Sequence, residues 1–475
     1  MTKTNSFILL LLLIFIAACT PGAKKSGNAD PMRYTIHTDV PKRPAGQQHV
    51  LGLTAPKLDT VSVGFIGLGM RGPGAVGRFT HIPGTKIIAL CDLHEERVEK
   101  AQGILERAGL PRAASYSGSE EAWKELCQRD DIDLVYIATD WKRHADMMVY
   151  AMEQGKHVAC EVPAAMTMEE IWDIINTAEK TQKHAMMLEN CVYDYFELTT
   201  LNMVQQGIFG EVLHAEGAYI HDLSAFWNAY ESDWRMQYNK EFRGDVYATH
   251  GMGPAAQALD IHRGDKMNSL VAMDSKPVNI PEYLIEKRGM DADSAYNFAN
   301  GQHTMTMIRT ENGKTIHIQH DVASPRPYSR MYQVSGTKGF ANKYPDQGYA
   351  LQGSMLGEDI APDLEKLNAH NYVPTEVRDL LMDKYKHRIH LELEEKAKEV
   401  GGHGGMDFIM DYRLVYCLRN GLPLDMDVYD LAEWCGGIGM TCKASVTRSS
   451  IEWVTYIKID RRKPYRFSPV CFDIP

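Results

Sequence analysis

The sequence lacks the features of several common protein classes. Its 51 Lys and Arg are outnumbered by 62 Asp and Glu, giving a formal net charge of -11, and no basic stretch offsets this balance. Because nucleic-acid binding relies on clustered positive charge, the composition argues against a nucleic-acid partner. The nine cysteines include no CxxC pair, so a zinc ribbon is unsupported. No internal repeat is apparent, and 475 residues are enough for two domains.

The N-terminal apolar run, residues 7–18, falls short of the ~20 residues that a membrane-spanning helix needs. It follows Lys3 and precedes Cys19, the order of basic region, hydrophobic core and processing site in a secretory signal. The run Ile16-Ala17-Ala18-Cys19 resembles a bacterial lipobox, although a plain secretory signal cut nearby is an alternative. We expect an exported bacterial lipoprotein held at a membrane surface, with a signal peptide over residues 1–19, a lipid such as palmitate on Cys19 and a tether over residues 20–56.

The most informative stretch is residues 61–72, where an apolar run breaks into Gly-x-Gly-x-x-Gly. The pattern predicts a strand that turns into a helix and binds a dinucleotide. Gly67 permits the tight turn, Gly69 lets the backbone approach a pyrophosphate, and Gly72 allows the helix to pack closely on the strand.

A second apolar strand, residues 86–91, ends at Asp92, at the distance where an acid meets the ribose hydroxyls. The alternative is a glycine-rich turn that binds no ligand. That explanation requires the positions of Asp92 and of both strands to be a coincidence. Because a carboxylate repels a 2′-phosphate, NAD is favoured over NADP, with Arg97 as the residue that argues the other way.

Strand and helix patterns alternate over residues 61–190 and predict an α/β Rossmann domain, residues 57–190, with a doubly wound parallel sheet. Cys91 and Cys160 fall in its strands, so we expect mostly free, buried thiols. Ligands of such sheets lie beyond the carboxyl ends of the strands. This places residues 141–144, Glu161 with Val162, and Asn190 around the nicotinamide half of the cofactor.

The alternation of strands and helices does not continue after residue 190. The pattern of residues 191–475 predicts an α+β domain with a mostly antiparallel sheet. Glu311-Asn312-Gly313-Lys314 supplies a hairpin turn between two predicted strands. Residues 384–398 have a charged helical pattern, and a further helix is predicted over residues 406–418. Between them lies Gly401-Gly402-His403-Gly404-Gly405.

The arrangement resembles the Gfo/Idh/MocA oxidoreductases over roughly residues 57–475. In the dehydrogenases of that family the position of Glu161-Val162-Pro163 reads Glu-Lys-Pro, and the lysine moves a substrate proton. Val162 cannot do so. The later Asp-x-Gly-x-His element corresponds here to Thr249-His250-Gly251-Met252-Gly253, which lacks the usual aspartate and histidine. An ordinary dehydrogenase is therefore disfavoured.

A closer resemblance is to glycoside hydrolase family 109, whose known members include α-N-acetylgalactosaminidases. The residues that carry it are Gly67 to Gly72, Trp141 to His144, Glu161 to Pro163, Glu189-Asn190, Tyr247 to Gly251 and Gly401 to Gly405. The resemblance implies that NAD is bound by Met70, Arg71, Asp92, Trp141, Lys142, Arg143, His144, Glu161, Val162 and Asn190, besides the glycines. It implies that the sugar is contacted by Tyr219, Arg235, Tyr247, Ala248, Thr249, His250 and Tyr328.

The resemblance also implies a redox route to glycoside cleavage, with oxidation at C3, elimination, water addition and re-reduction by the same cofactor. Such a route needs no pair of acids at conventional glycosidase spacing. The catalytic candidates are His403, Tyr247 and His250. His403 is the strongest, because an imidazole titrates near neutral pH and glycines let its loop move. A glycine-rich helix cap is the alternative for that loop, and no second ligand at helical spacing supports a metal there.

For the other candidates the residues alone leave structural explanations open. His250 can satisfy a core hydrogen bond, Arg235 can form a surface salt bridge, and Tyr219 and Tyr328 can be core packing. His144 fits cofactor binding and helix capping equally well.

Two other functions stay open: a sugar dehydrogenase that turns over free NAD, and a lipid-anchored sugar-binding protein. The expected partners are a carbohydrate, a membrane through the lipid, and in one possibility further copies of the chain; no metal is expected.

Overall fold

The computed structural model describes residues 35–36, 40–227, 234–356, 360, 368–447 and 450–452. Residues 1–36 form a separate unit, of which the two-residue strand Thr35–Ile36 is described. The predicted signal peptide and Cys19 lie outside the described residues. Among the residues that are described, no helix is long and apolar enough to cross a bilayer.

Six parallel strands form the first sheet of the second unit: β1 (Val61–Ile66), β2 (Thr85–Cys91), β3 (Ala114–Tyr116), β4 (Leu134–Ile137), β5 (His157–Cys160) and β6 (Ala185–Met187). Their order across the sheet is β3-β2-β1-β4-β5-β6. Strands β4 and β5 are buried at every position, as expected for a parallel sheet covered on both faces. The predicted Rossmann architecture is confirmed.

Helices connect these strands: α1 (Gly72–Phe79), α2 (Glu95–Arg107), α3 (Ala122–Cys127), α4 (Trp141–Glu153) and α5 (Met168–Thr181). Helix α5 begins after Thr167 because Thr167 and Glu170 form a reciprocal capping box there. Helix α4 begins at Trp141: Asp140 accepts a hydrogen bond from the Lys142 amide, and residues 141–144 form the first turn.

The second sheet is mixed and mostly antiparallel. Its strands are β7 (Val212–Ile220), β8 (Met267–Asp274), β9 (Thr304–Thr310), β10 (Thr315–Asp321), β11 (Tyr332–Gly336), β12 (Gly339–Asn342), β13 (Gly348–Leu351) and β14 (Ser450–Glu452). Within residues 37–475 their order is β14-β8-β9-β10-β7-β11-β12-β13, and only β10 and β7 among these pairs run parallel. The predicted β9–β10 hairpin is present, with Gly313 at φ +87°.

The helices of this second half are α6 (Tyr195–Gln205), α7 (Trp234–Glu241), α8 (Thr249–Ala258), α9 (Asn279–Arg288), α10 (Ala292–Tyr296), α11 (Thr375–Lys384), α12 (Arg388–Val400), α13 (Met406–Asn420) and α14 (Val428–Thr447). Short 3₁₀ turns span Asn190–Tyr193, Ser224–Phe226, Gly353–Met355 and His403–Gly405. The single helix predicted over residues 384–398 is wrong at its start. Helix α11 ends at Lys384, and His387 caps a new helix by accepting from the Ile389 amide.

Helix α8 lies against strand β7 because two glycines meet there. A Cβ added to Gly217 would lie 2.6 Å from Gly251 Cα, so neither residue tolerates a side chain without a shift. This close approach fixes the first turn of α8 beside the end of β7, where the predicted sugar residues lie.

Part of the predicted tether contacts the folded body. Arg43 pairs with Glu179 and donates to Asn176 on α5, and the Val50 amide donates to the Tyr429 hydroxyl over 3.0 Å. The six cysteines whose thiols are described are free and buried, as predicted: Cys91, Cys127, Cys160, Cys191, Cys417 and Cys435.

Candidate active site

A cavity of about 1170 Å³ lies at the carboxyl ends of the parallel strands and continues to the second sheet. All of the predicted cofactor residues line it except Gly72 and Lys142. The predicted residues Tyr219, Arg235, Tyr247, His250, Tyr328 and His403 line the same space. The chain therefore brings both predicted sets into one cavity.

The glycine turn has the geometry of a dinucleotide cradle. Gly67 has φ +91°, and a Cβ there would lie 2.5 Å from the Ala138 carbonyl oxygen. A Cβ on Gly72 would lie 1.9 Å from the Gly67 oxygen, so α1 packs directly on the turn. Gly69 differs, since its Cβ position has only Arg97 Nη1 near it, at 3.8 Å. Gly69 thus presents bare backbone to the cavity, where a pyrophosphate can approach.

Asp92 follows strand β2 and is braced by the same turn. Its Oδ2 accepts from the Leu68 amide over 2.7 Å, and its Oδ1 accepts from the His94 amide over 3.0 Å. Arg97 Nη1 lies 3.5 Å from Oδ1, so the residue that argued for a 2′-phosphate pairs with the acid. A cavity larger than the ~300–1000 Å³ of sites for drug-sized ligands, with this cradle and acid, fits NAD.

A buried carboxylate links the cofactor turn to the glycine-flanked loop. Asp407 Oδ2 lies 3.1 Å from Arg71 Nη2 and 2.9 Å from His403 Nδ1, while Asp407 Oδ1 accepts from Asn190 Nδ2 over 2.6 Å. The Arg71 Nε also donates to Glu161 Oε1 over 3.1 Å. Four predicted site residues thus form one network around a residue that sequence reasoning missed.

The charges around Asp407 keep it ionised. Burial favours its neutral form, but the hydrogen bond from His403 and the charges of Arg71 and Arg78 hold its pKa far below the usual range. Asp407 lies four residues after His403, and a turn of residues with positive φ, not a shared helix, brings the two side chains together. Asp407 is thus a potential second ligand four residues from His403, and it was not recognised from the sequence. Because the guanidinium of Arg71 shares the carboxylate, the arrangement is an ion-pair network.

The loop around His403 is tightly folded. His403 has φ +46°, and its four flanking glycines, residues 401, 402, 404 and 405, have φ between +74° and +104°. A Cβ on Gly402 would lie 2.7 Å from Asp407 Cβ. The His403 side chain is 47% exposed and its Nδ1 is engaged, so the opposite ring nitrogen is the one available to a ligand.

An aromatic cluster forms the other end of the cavity. The Trp141 and Tyr247 rings stack at 5.3 Å, and the Arg235 guanidinium lies 4.7 Å from the Tyr247 ring centroid. Tyr219 meets Tyr247 edge-on at 4.9 Å, and its hydroxyl lies 3.0 Å from His221 Nδ1. Flat apolar faces next to hydroxyl and imidazole groups suit a sugar ring, which has both apolar and hydroxyl-bearing surfaces.

His250 lies in the first turn of α8 and pairs with a fully buried acid. Its Nδ1 lies 2.7 Å from Glu189 Oε1, and its ring centroid lies 5.3 Å from that of Tyr219. Burial would raise the pKa of Glu189, but the charge and hydrogen bond of His250 hold it below its usual value. Ala248 and Thr249, predicted to contact sugar, are buried and do not line the cavity.

Two predicted cofactor residues, Lys142 and His144, make structural contacts. Lys142 Nζ pairs with Glu241 at 3.2 Å, with both side chains about half exposed, and Lys142 does not line the cavity. His144 is 1% exposed, and its two ring nitrogens lie 2.8 and 3.1 Å from the Pro163 and Thr139 oxygens. Burial lowers its pKa. These two contacts join α4 to the loops that follow β4 and β5, and His144 therefore braces those loops.

Sequence reasoning assigned no role to several residues of the site, namely Glu189, His221, Trp234, Arg330 and Asp407. Arg330 lies at the rim beside Tyr328, with its guanidinium 5.6 Å from that ring and its Nη1 3.5 Å from Cys191 Sγ. Of these residues only Asp407 had a local signal, its spacing from His403. The others are brought in by contacts between distant parts of the chain.

Comparison with known families agrees with the two-part site. Residues 61–189 match the oxidoreductase family with an NAD-binding Rossmann fold, and residues 193–453 match the C-terminal domain of glycosyl hydrolase 109. The "Glycosyl hydrolase family 109 protein 1" of Bacteroides fragilis is 66% identical over 443 residues, which is 93% of this chain and 92% of that protein. The chain belongs to glycosyl hydrolase family 109. It is a glycosidase that acts on carbohydrate, and its cofactor is NAD.

Another family 109 relative is similar in sequence, and solved structures are similar in fold. The family 109 protein of Porphyromonas gingivalis is 62% identical, over 94% of this chain and 93% of the relative. A levoglucosan dehydrogenase in complex with NADH and levoglucosan shares the fold with a TM-score of 0.58 at 18% identity, covering 83% of this chain and 100% of that one. The apo scyllo-inositol dehydrogenase from Lactobacillus casei has a TM-score of 0.57 at 13% identity, covering 83% of this chain and 99% of that one.

Proposed function

We propose that this family 109 enzyme releases terminal α-linked N-acetylgalactosamine, or a related terminal sugar, by a redox route that regenerates its bound NAD. The observation that carries the proposal is the single cavity that holds both the dinucleotide cradle and the tyrosine and histidine cluster. A binding protein needs no such junction of cofactor and sugar sites.

The cofactor half of the proposal depends on Gly67, Gly69, Asp92 and Arg71. When bound, NAD supplies reversible oxidation at C3 of the sugar, which acidifies the C2 proton so that elimination across C1–C2 expels the aglycone before water adds and C3 is reduced again. Asp92 holds the ribose end, and Glu161 orients Arg71 at the boundary between the two halves. Val162, where the related dehydrogenases have lysine, offers no group for proton transfer.

The proton-moving groups surround the sugar half. Burial raises the pKa of the Tyr247 phenol well above its usual value, so Tyr247 donates a hydrogen bond at neutral pH and does not act as a base. His250, fixed by Glu189, is placed to take protons from the sugar. His403, held by Asp407 in a loop of glycines, is placed to activate the water or to protonate the leaving group.

A screen of aryl glycosides, both α and β, tests this function. The purified enzyme without its N-terminal signal should release the aglycone from an α-N-acetylgalactosaminide without added NAD. Asp92→Ala is the matched control, because it removes the ribose contact and should lower NAD content and aglycone release together. Aglycone release unaffected by loss of NAD would contradict the redox route. Binding of sugar without any release would instead indicate a sugar-binding protein.

We also propose that the protein is an exported lipoprotein, as residues 1–19 suggest. Cys19→Ser should abolish labelling by a palmitate analogue and release the protein from membranes, with the wild-type sequence as control. Labelling that persists in the variant would refute the lipobox.

Assembly into a homo-oligomer stays a prediction. Four large apolar side chains are exposed on adjacent strands, where Met273 lies opposite Met305 and Val271 opposite Met307. Such a face suits a second copy of the chain. Light scattering should then give a dimer or larger species for the wild type, and Met273→Lys should shift it to a monomer; a wild-type monomer refutes this prediction.

A further inference from the structure

Glu189 is a fully buried acid at the carboxyl end of the parallel sheet, two residues after β6. Its Oε1 accepts a hydrogen bond from the Cys191 amide over 3.1 Å and lies 2.7 Å from His250 Nδ1. The side chain has no exposed surface and does not line the cavity, whereas His250 does. Glu189 therefore reaches the ligand only through the imidazole.

The pair is held by close packing rather than by flexible contacts. A Cβ on Gly253, one turn after His250, would lie 2.9 Å from Glu189 Cγ. The same helix is pressed onto β7 at Gly217 and Gly251. The backbones that carry the acid and the imidazole thus have little freedom to separate.

We infer that Glu189 is a positioning residue that selects the tautomer of His250. Its carboxylate accepts the Nδ1–H of His250, which leaves the lone pair on Nε2 directed to the sugar. The inference rests on the proposed function, in which Nε2 takes one proton from the sugar and later returns it; no other group is transferred. The negative charge of Glu189 then stabilises the imidazolium that forms, as a buried acid does behind a catalytic histidine.

A metal site is the competing explanation for this acid. Potential ligand atoms of Glu189, Cys191 and His250 lie within 4.8 Å of one another. However, burial and the charge of Glu189 raise the pKa of the Cys191 thiol well above its usual value, and thiols bind metals as thiolates. The guanidinium of Arg330 also lies 3.5 Å from the sulfur, which disfavours a cation.

Glu189→Gln tests the inference because it keeps the size and removes the charge. We expect kcat to fall ~10²–10³-fold with little change in KM or NAD content. In a His250→Ala background the same change should cost nothing further, since its effect acts through the imidazole. Cys191→Ser, which alters the third member of the cluster, should leave kcat near normal.

A loss of kcat by Glu189→Gln in the His250→Ala background would refute the inference. So would stoichiometric zinc or another divalent metal in the purified holoenzyme, lost in Cys191→Ser. ¹⁵N spectra of histidine-labelled enzyme, with His250 assigned by its alanine variant, test it without turnover. The wild type should show a protonated Nδ1 and a bare Nε2, with more protonated Nε2 in Glu189→Gln; a protonated Nε2 in the wild type overturns the inference even if glycoside release is normal. Absence of glycoside release with the expected tautomer refutes only the proposed function.

Discussion

Replacing Asp407 by Asn should separate the His403 loop from the cofactor turn. The carboxylate is fully buried and lies between Arg71, Asn190 and His403. Asparagine keeps the shape and can still hydrogen-bond to one neighbour, but it removes the negative charge that pairs with Arg71 and Arg78. We expect weaker NAD retention and a loss of turnover together with lower stability.

The stability change can be bounded from the remaining partners. Removing one partner of a buried ion pair typically costs about 3–5 kcal/mol in the free energy of unfolding. Arg78 would keep Asp411 at 2.7 Å, and Arg71 would keep Glu161 at 3.1 Å. The Arg71 side chain is also 37% exposed, so water already screens part of the ion pair that Arg71 would lose. We therefore expect the lower end of the range, about 3 kcal/mol.

The pH dependence has a definite sign. Because the pKa of Asp407 is lower in the folded state than in the unfolded chain, its contribution is present at neutral pH and is lost as pH falls below about 4. Urea unfolding of wild type and Asp407→Asn should differ by a constant amount from about pH 5 to 7, and the difference should shrink at lower pH. Glu399→Gln, on an exposed ion pair of α12, should match the wild type throughout. Equal stability of Asp407→Asn and wild type at pH 7, with normal turnover, would refute this reasoning.

Two further substitutions test the loop and the cradle. His403→Ala should lower turnover ~10²–10⁴-fold while the fold and NAD content stay intact, because the side chain is 47% exposed; near-normal cleavage would make the loop a simple connector. Gly67→Ala should abolish NAD binding and lower the melting temperature, because its Cβ would lie 2.5 Å from the Ala138 oxygen. Gly109→Ala, at a similar positive φ with nothing within 4 Å, is its matched control, and equal effects of the two would contradict the argument from the cradle.

The parallel sheet and its cofactor turn could be predicted because their signals are local. Strands β1, β2, β4 and β5 are short apolar runs separated by helical patterns, and Gly67 and Gly72 have roles set by their own backbone. The start of α5 also has a local signal in the sequence, because a capping box lies next to an amphipathic run.

The missed elements had no such local signal. Helix α8 contains Gly251, Gly253 and Pro254, residues that argue against a helix, and it forms because it packs on β7. The pairs that organise the site join distant positions, as in Arg71 with Asp407 and Glu189 with His250. Sequence patterns name such residues only through a family resemblance, and the resemblance did not assign a role to either acid.

The central claim is that cofactor chemistry and glycoside cleavage occur in one cavity with the same bound NAD. The direct measurement follows aglycone release and NADH absorbance together, on purified holoenzyme with an aryl α-N-acetylgalactosaminide and no added NAD. We expect many aglycones released per bound NAD, with no net NADH at completion. One NADH formed for each sugar consumed, or turnover that stops until free NAD is added, would contradict the account.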